Sequence, residues 1–334
     1  MSKSDFLSTG DLSPAALGQL VDLAARLKAG EDGGRLEGKT LGLVFFNPSL
    51  RTRVSFAVAM RQLGGHVTNL DVGQATWAIE TRDGVVMDGD RPEHLREAAA
   101  VLSRYVDGLG VRAFGQGQCW MDDRADSVLQ GFARHAAVPV INLESAVWHP
   151  CQALADILTW RELGLKRGSP IVLTWTYHPR ALPMAVPNSV VLAAAQFGAR
   201  MTVLRPPEFA LDRELVTQAG AVADRTGGSL VETHDRNCLA GARVVYAKSW
   251  GSLQAYGTPE TEAALRGRYQ DWKVTQEWMN RTNEGAFMHC LPVRRNVVVS
   301  DEVLDSAASA IVQQAENRLH VQKALLLKLL GVSP

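Results

Sequence analysis

Cysteine is scarce in this chain: four among 334 residues, at 119, 151, 238 and 290, with no Cys-x-x-Cys pair. That excludes a disulfide-stapled scaffold and points to a reduced compartment. His149, Cys151, His289 and Cys290 are ligand types without the usual zinc spacing, so neither a metal nor another cofactor is expected. Net charge is absent as well, 35 basic side chains balancing 35 acidic ones, which argues against a general nucleic-acid or membrane surface. No run of about 18 apolar residues offers a bilayer span. The start, Met1-Ser2-Lys3-Ser4-Asp5, lacks the regions of a signal peptide, and the reading predicts a cytoplasmic protein. Two nucleotide signatures are missing too. Gly115-Gln116-Gly117-Gln118 has no third glycine opening a helix, and no Gly-x-x-x-x-Gly-Lys-Ser/Thr pattern occurs. There is no internal repeat and no low-complexity segment. What charge there is comes in local pairs, Arg51/Arg53 and Arg294/Arg295, which suit a small anionic ligand.

What is present is alternation. Apolar runs at 41–46, 67–71, 109–114 and 138–143 each precede a helical stretch or a polar loop, the pattern of a parallel sheet with helices on its faces. One predicted helix has Asp90 as N-cap, Pro92 near its first turn, and an end near Val106. Another covers Cys151 to Leu163, and Gly164 to Ser169 forms a hinge. The alternation then restarts with strands from Ile171, Met201, Ser229, Val244 and Ala286, helices near 188–197, 212–226 and 301–306, and a last helix from about Ala315 to Leu330. The fold class is α/β in two domains, each a mainly parallel sheet flanked by helices.

The stretch from Phe45 to Phe56 carries the first chemical signal. Leu41 to Phe46 is continuously apolar, as in a strand buried on both faces. Asn47-Pro48 breaks it, Ser49 is the predicted N-cap of a helix, and Gly64-Gly65 stops that helix after Leu63. Arg51 and Arg53 fall in the first turn, where cations oppose the helix dipole unless an anion sits over them. Free backbone N–H groups, the hydroxyls of Ser49 and Thr52 and the Arg51 guanidinium would make a phosphate cradle. The residues alone leave a second reading open, an ordinary strand–turn–helix with solvated arginines.

Ser49-Leu50-Arg51-Thr52-Arg53 resembles the carbamoyl-phosphate loop of the aspartate/ornithine carbamoyltransferase superfamily. It is followed in order by His149-Pro150-Cys151-Gln152, by His289-Cys290-Leu291-Pro292 and by Arg318, at family-like spacing across nearly the whole chain. The resemblance implies that the final helix returns to the first domain, giving domains of 1–155 plus 315–334 for carbamoyl phosphate and 156–314 for the acceptor. It implies that Ser49, Leu50, Arg51, Thr52 and Arg112 hold the phosphate. Arg112, His149 and Thr52 would polarise the carbamoyl oxygen as an oxyanion hole does. Gln152 and the backbone carbonyls of Cys290 and Leu291 would hold the carbamoyl NH₂, with Arg318 completing the site. A cysteine after His289 resembles the ornithine branch rather than the aspartate branch, which has proline there.

The departures narrow the acceptor. Ordinary ornithine enzymes hold the free α-amine with an Asp-x-x-x-Ser-Met-Gly loop, and here the region reads Tyr246-Ala247-Lys248-Ser249-Trp250-Gly251. A lysine would repel an α-ammonium. The pattern resembles the N-acylornithine carbamoyltransferases, in which Glu144, His178, Asn188 and Lys248 match acylornithine-binding positions and Trp77 matches a tryptophan inserted from a neighbouring subunit of a homotrimer. Acetyl-type members carry glutamate at the position of Pro92 and lysine at that of Val298, whereas succinyl-type members resemble this chain at both. Physics agrees: a glutamate would repel the second carboxylate of a succinyl group, by about 4 kcal/mol for unit charges roughly 4 Å apart at an effective dielectric of about 20. Arg294 would pair with that carboxylate. The expected activity is carbamoyl transfer from carbamoyl phosphate to an N-acyl-L-ornithine in arginine biosynthesis, succinyl before acetyl. The alternatives are an ordinary ornithine carbamoyltransferase with a divergent loop and a non-catalytic paralogue, the latter opposed by the intact site motifs.

Overall fold

A computed structural model describes residues 3–31 and 36–331. Met1 and Ser2 of the N-terminal reading, and the last three residues of the range 315–334, lie outside it.

The first sheet is built from β1 (Thr40–Phe45), β2 (His66–Asp71), β5 (Gly108–Arg112) and β6 (Val140–Glu144), all parallel, in the order β2-β1-β5-β6. The period of two along β1 explains its unbroken apolar run. Leu41, Leu43 and Phe45 enter one core and Val44 enters another, with Leu109, Val111 and Phe132. Helices α1 (Pro14–Lys28), α2 (Arg51–Gln62), α3 (Leu95–Leu102), α4 (Trp120–Arg124) and α5 (Ser127–His135) cover the sheet, and a two-residue parallel pair, β3 (Ile79–Glu80) with β4 (Glu93–His94), lies apart from it. Helix α6 (Pro150–Glu162), ended by Gly164 in the left-handed region at φ +75°, leads into the second domain.

The second sheet runs β11-β10-β7-β8-β9, again all parallel: β7 (Pro170–Trp175), β8 (Arg200–Leu204), β9 (Ser229–Thr233), β10 (Val244–Lys248) and β11 (Ala286–Met288). Its helices are α7 (Ala185–Phe197), α8 (Arg213–Thr226), α9 (Pro259–Gly267), α10 (Gln276–Asn280) and α11 (Asp301–Leu304). The last helix, α12 (Ile311–Leu330), returns and packs on α1, α2 and α6 of the first domain. Among the described residues no helix is long and apolar enough to cross a membrane.

Several local expectations are corrected. The helix predicted from Asp90 to Val106 runs only from Leu95 to Leu102. Glu93 and His94 are held extended by pairing with Ile79 and Glu80, and the His94 ring caps the helix by accepting from the Arg96 N–H at 3.1 Å. Pro92 is therefore exposed in the loop ahead of β4 rather than starting a helix. Helix α2 likewise begins one residue late, with Leu50 at the cap position, yet the Ser49 hydroxyl still accepts from the Thr52 N–H at 3.3 Å. The strands expected at 109–114 and 138–143 are displaced by one or two residues, which puts Arg112 and Glu144 at strand ends.

Candidate active site

Both sheets change direction. In the first, the chain proceeds from β1 to β2 on one side and onward through β5 and β6 on the other, so the switch lies between β1 and β5. In the second it lies between β7 and β10. Ligand crevices form beyond the carboxyl ends of strands at such points. The Ser49–Thr52 turn follows β1, Arg112 ends β5, Glu144 ends β6, His178 follows β7, Lys248 ends β10, and His289–Leu291 follow β11.

Among the described residues, each arginine pair has one member in an ion pair, Arg53 or Arg295, and one, Arg51 or Arg294, outside any. Arg53 forms a bidentate ion pair with Asp71 and lies over the Phe45 ring, 4.2 Å from its centroid. Arg295 is neutralised by Asp301 at 2.8 Å and Asp305 at 2.6 Å. Arg51, by contrast, has a buried Nε with no hydrogen-bond partner, and burial and the neighbouring Arg112 lower its pKa while Cys290 and Glu144 raise it. Thr52, 1% exposed, accepts a 2.8 Å bond from Arg318 Nη2, which joins the cradle to α12. Burial depresses the Arg318 guanidinium, whose Nε also lacks a partner. Buried guanidinium nitrogens without partners carry a desolvation cost that an anion would offset.

A register shift between Val111 and Arg112 places Arg112 opposite Glu144, and the two form a short ion pair. Arg112 also lies over Phe114, 4.5 Å from the ring centroid. Burial alone would raise the Glu144 carboxyl, but the charges of Arg112 and Lys248 hold it below its ordinary value. His149 is buried, and desolvation pushes its pKa down to about 3, so the imidazole is neutral at physiological pH. Its Nε2 stands 3.5 Å from Glu144 Oε2, too far for a strong bond, and its Nδ1 has no partner. The ring keeps donor capacity for a ligand oxygen. Ser189, on α7 of the second domain, holds the His149 backbone N–H at 2.7 Å.

Beyond β11, the His289 N–H donates to Gln314 Oε1 at 3.0 Å, and His289 Nδ1 accepts from the Leu291 N–H at 2.9 Å. Burial keeps His289 far below its ordinary pKa, so the ring remains the acceptor that this turn requires. Leu291 itself is left-handed, at φ +59°. The Cys290 thiol is raised by burial despite Lys248 and Arg51, which disfavours the thiolate that covalent chemistry would need.

On the acceptor side, Lys248 is buried at the end of β10, and its ammonium makes no hydrogen bond or ion pair among the described residues. Its charge is felt by Glu144, His149, His178, His289 and Cys290. Asn188 donates to the Val147 carbonyl at 3.2 Å and leaves its own oxygen buried without a partner. Arg294, exposed, donates through Nε to His178 Nε2 at 3.0 Å. Trp77 is 61% exposed, and its indole reaches only Glu93, at 2.6 Å. No hydrogen bond or ion pair joins Trp77 or Pro92 to Arg112, His149 or Arg294 within the described residues of one chain.

Reading the sequence missed Asp156, Gln314 and Tyr246, which form a buried network under Gln152. The spacing from Gln152 to Asp156, four residues along one helix, was a usable signal.

The chain matches two family models: aspartate/ornithine carbamoyltransferase, carbamoyl-P binding domain, over residues 4–162, and aspartate/ornithine carbamoyltransferase, Asp/Orn binding domain, over residues 184–329. It belongs to the aspartate/ornithine carbamoyltransferase family. N-acetylornithine carbamoyltransferase of Xanthomonas campestris pv. campestris is 48% identical over 100% of this chain and 99% of its own. N-succinylornithine carbamoyltransferase of Bacteroides fragilis is 37% identical over 97% of each. Among solved structures, an N-acetyl-L-ornithine transcarbamylase mutant with a glutamate replaced by proline, complexed with carbamyl phosphate and N-succinyl-L-norvaline, superposes with a TM-score of 0.95. It is 48% identical, covering 98% of this chain and 99% of its own.

Proposed function

We propose that this carbamoyltransferase moves the carbamoyl group of carbamoyl phosphate to the side-chain amine of an N-acyl-L-ornithine, with N-succinyl-L-ornithine preferred over the acetyl compound. The observation that carries the acylated acceptor is Lys248, buried with its ammonium in no ion pair or hydrogen bond among the described residues. Such a cation repels a free α-ammonium and attracts the carboxylate of an acylated one.

In this reading Arg51, Arg318, Ser49 and Thr52 hold the phosphate, and the Leu50 backbone closes the turn. Neutral His149, with Arg112 released from Glu144, donates to the carbamoyl oxygen as negative charge develops on it. Gln152 and the carbonyls of Cys290 and Leu291 accept from the carbamoyl NH₂. The acceptor amine attacks in its neutral form, against an ordinary alkyl-ammonium pKa of about 10.4. A C–N bond forms, the bond from the carbamoyl carbon to the phosphate oxygen breaks, and phosphate leaves with the amine proton. Glu144, His178, Asn188 and Lys248 bind the acylated α-position, and Arg294 pairs with the second carboxylate of a succinyl group. The first domain, 1–155 with 315–334, would serve carbamoyl phosphate, and 156–314 the acceptor.

Pro92 supports the succinyl preference against overall identity, which is higher to the acetyl enzymes. In the solved relative a glutamate-to-proline change accompanies a bound N-succinyl compound. Trp77 and Pro92, exposed and bonded to none of Arg112, His149 and Arg294 among the described residues, are assigned to the site of a neighbouring subunit in a cytoplasmic homotrimer. The test is ureido-product formation from carbamoyl phosphate with N-succinyl-L-ornithine, N-acetyl-L-ornithine and L-ornithine. Product is expected from the acylated pair, with free ornithine nearly inert. Efficient use of ornithine alone would establish the ordinary enzyme, and no product from any acceptor a non-catalytic paralogue.

A further inference from the structure

Asp156 takes no part in the reaction just described, yet it is fully buried on α6, one turn beyond Gln152. Its Oδ1 accepts from two amides, Gln152 Nε2 at 2.9 Å and Gln314 Nε2 at 2.7 Å. Gln314 comes from α12 and also donates to the Tyr246 hydroxyl of β10 at 3.0 Å. The charged and titratable groups around Asp156 are Arg318 on α12, Tyr246 on β10 and Cys290 beyond β11. Burial pushes the Asp156 carboxyl up to about 7, but in either protonation state it keeps an acceptor oxygen for the two amides.

An amide has one donor end and one acceptor end, so each glutamine that gives its NH₂ to Asp156 must turn its oxygen away. For Gln314 the opposite partner confirms this orientation, because its Oε1 meets the His289 N–H at 3.0 Å. For Gln152 the oxygen is left buried and without a partner among the described residues, in the first turn of α6 beside His149. A buried acceptor without a partner is a vacancy for a donor. A carbamoyl NH₂ is such a donor, whereas phosphate offers chiefly acceptors.

We infer that Asp156 is a positioning residue that locks the Gln152 amide with its oxygen, rather than its NH₂, toward the carbamoyl nitrogen of the substrate. The inference rests on the reading above that carbamoyl phosphate occupies this site. Without the lock the amide can rotate by half a turn, and NH₂ then faces NH₂. Asp156 thus contributes to telling carbamoyl phosphate from phosphate, and does so without touching either.

The test is calorimetric titration of the full chain with carbamoyl phosphate and, separately, with inorganic phosphate, no acceptor being present. Asp156→Leu removes the acceptor and should lower the preference for carbamoyl phosphate over phosphate by about tenfold, the worth of one hydrogen bond to a buried group. Affinity for phosphate should stay within about twofold. Asp156→Asn keeps an acceptor oxygen and should stay within about threefold of the parent protein in that preference. In a Gln152→Leu background, Asp156→Leu should add no further loss. Should Asp156→Leu fail to fold, Asp156→Ala makes the same measurement. A variant that binds both ligands more weakly by the same factor would reduce Asp156 to a structural role and overturn the inference. A parent protein that binds carbamoyl phosphate no better than phosphate would overturn the reading beneath it, and the inference with it.

Discussion

At the switch point of the first sheet, Arg51, Thr52, Arg112 and Arg318 converge from α2, β5 and α12. Thr52, Arg112 and Arg318 are buried, and the hydrogen bond from Arg318 to Thr52 is in place. At the switch point of the second sheet, Lys248 and Asn188 are buried, but Arg294 stands exposed on a loop and reaches only His178. Pro92, which the resemblance assigns to the acceptor, and Trp77, which it assigns to carbamoyl phosphate in a neighbouring subunit's site, lie exposed on a different segment. Among the described residues, a hydrogen bond joins elements of the first group, whereas none joins Trp77 or Pro92 to Lys248, Asn188 or Arg294. A group common to the family, the carbamoyl donor carbamoyl phosphate, suits a rigid and desolvated frame. A group that distinguishes members suits loops, which change without disturbing a core.

The comparison breaks most decisively at Arg51. If the donor half is a preorganised anion site, Arg51→Ala should lower kcat/KM for carbamoyl phosphate by roughly 100- to 1,000-fold. The protein should remain folded, since the Arg51 side chain makes no hydrogen bond or ion pair among the described residues. Steady-state kinetics together with thermal denaturation check this, and a folded variant with near-normal constants would show the cradle misassigned.

A smaller effect sharpens the other half. Trp77→Ala and Arg112→Ala should each be nearly inactive alone, yet mixing them under subunit-exchange conditions should restore roughly one quarter of parent activity, the statistical share of intact sites in a trimer that pairs neighbours. Demonstrated exchange without recovered activity would place Trp77 outside a shared site.

Much of the donor half was legible in the sequence because its chemistry is local. The Ser49–Arg53 run, His149-Pro150 and His289–Leu291 each follow a strand, and a parallel α/β fold brings strand ends together. What could not be read was which charges are spent. Arg53 and Arg51 look alike on the helix, and only the fold brings Asp71 to Arg53 and Asp301 to Arg295. The Asp90 start failed because two residues of β pairing, set by a segment fourteen positions upstream, override a good capping signal. The spacing of Gln152 and Asp156 hints at a pair on α6, but the burial of Asp156 and its second partner, Gln314, come only with the packing of α12.

The account turns on the acylated acceptor and on Pro92, and one competition reaches both. The protein is given N-succinyl-L-ornithine and N-acetyl-L-ornithine at equal, limiting concentrations with carbamoyl phosphate, and the two citrulline products are counted by mass spectrometry. The ratio of products is the ratio of kcat/KM values. Succinylcitrulline should predominate in the parent protein, and Pro92→Glu should move the ratio toward acetyl by about tenfold, a fraction of the full repulsion because the loop is exposed. A parent protein that makes as much acetylcitrulline as succinylcitrulline, with Pro92→Glu leaving the ratio where it was, would contradict the account.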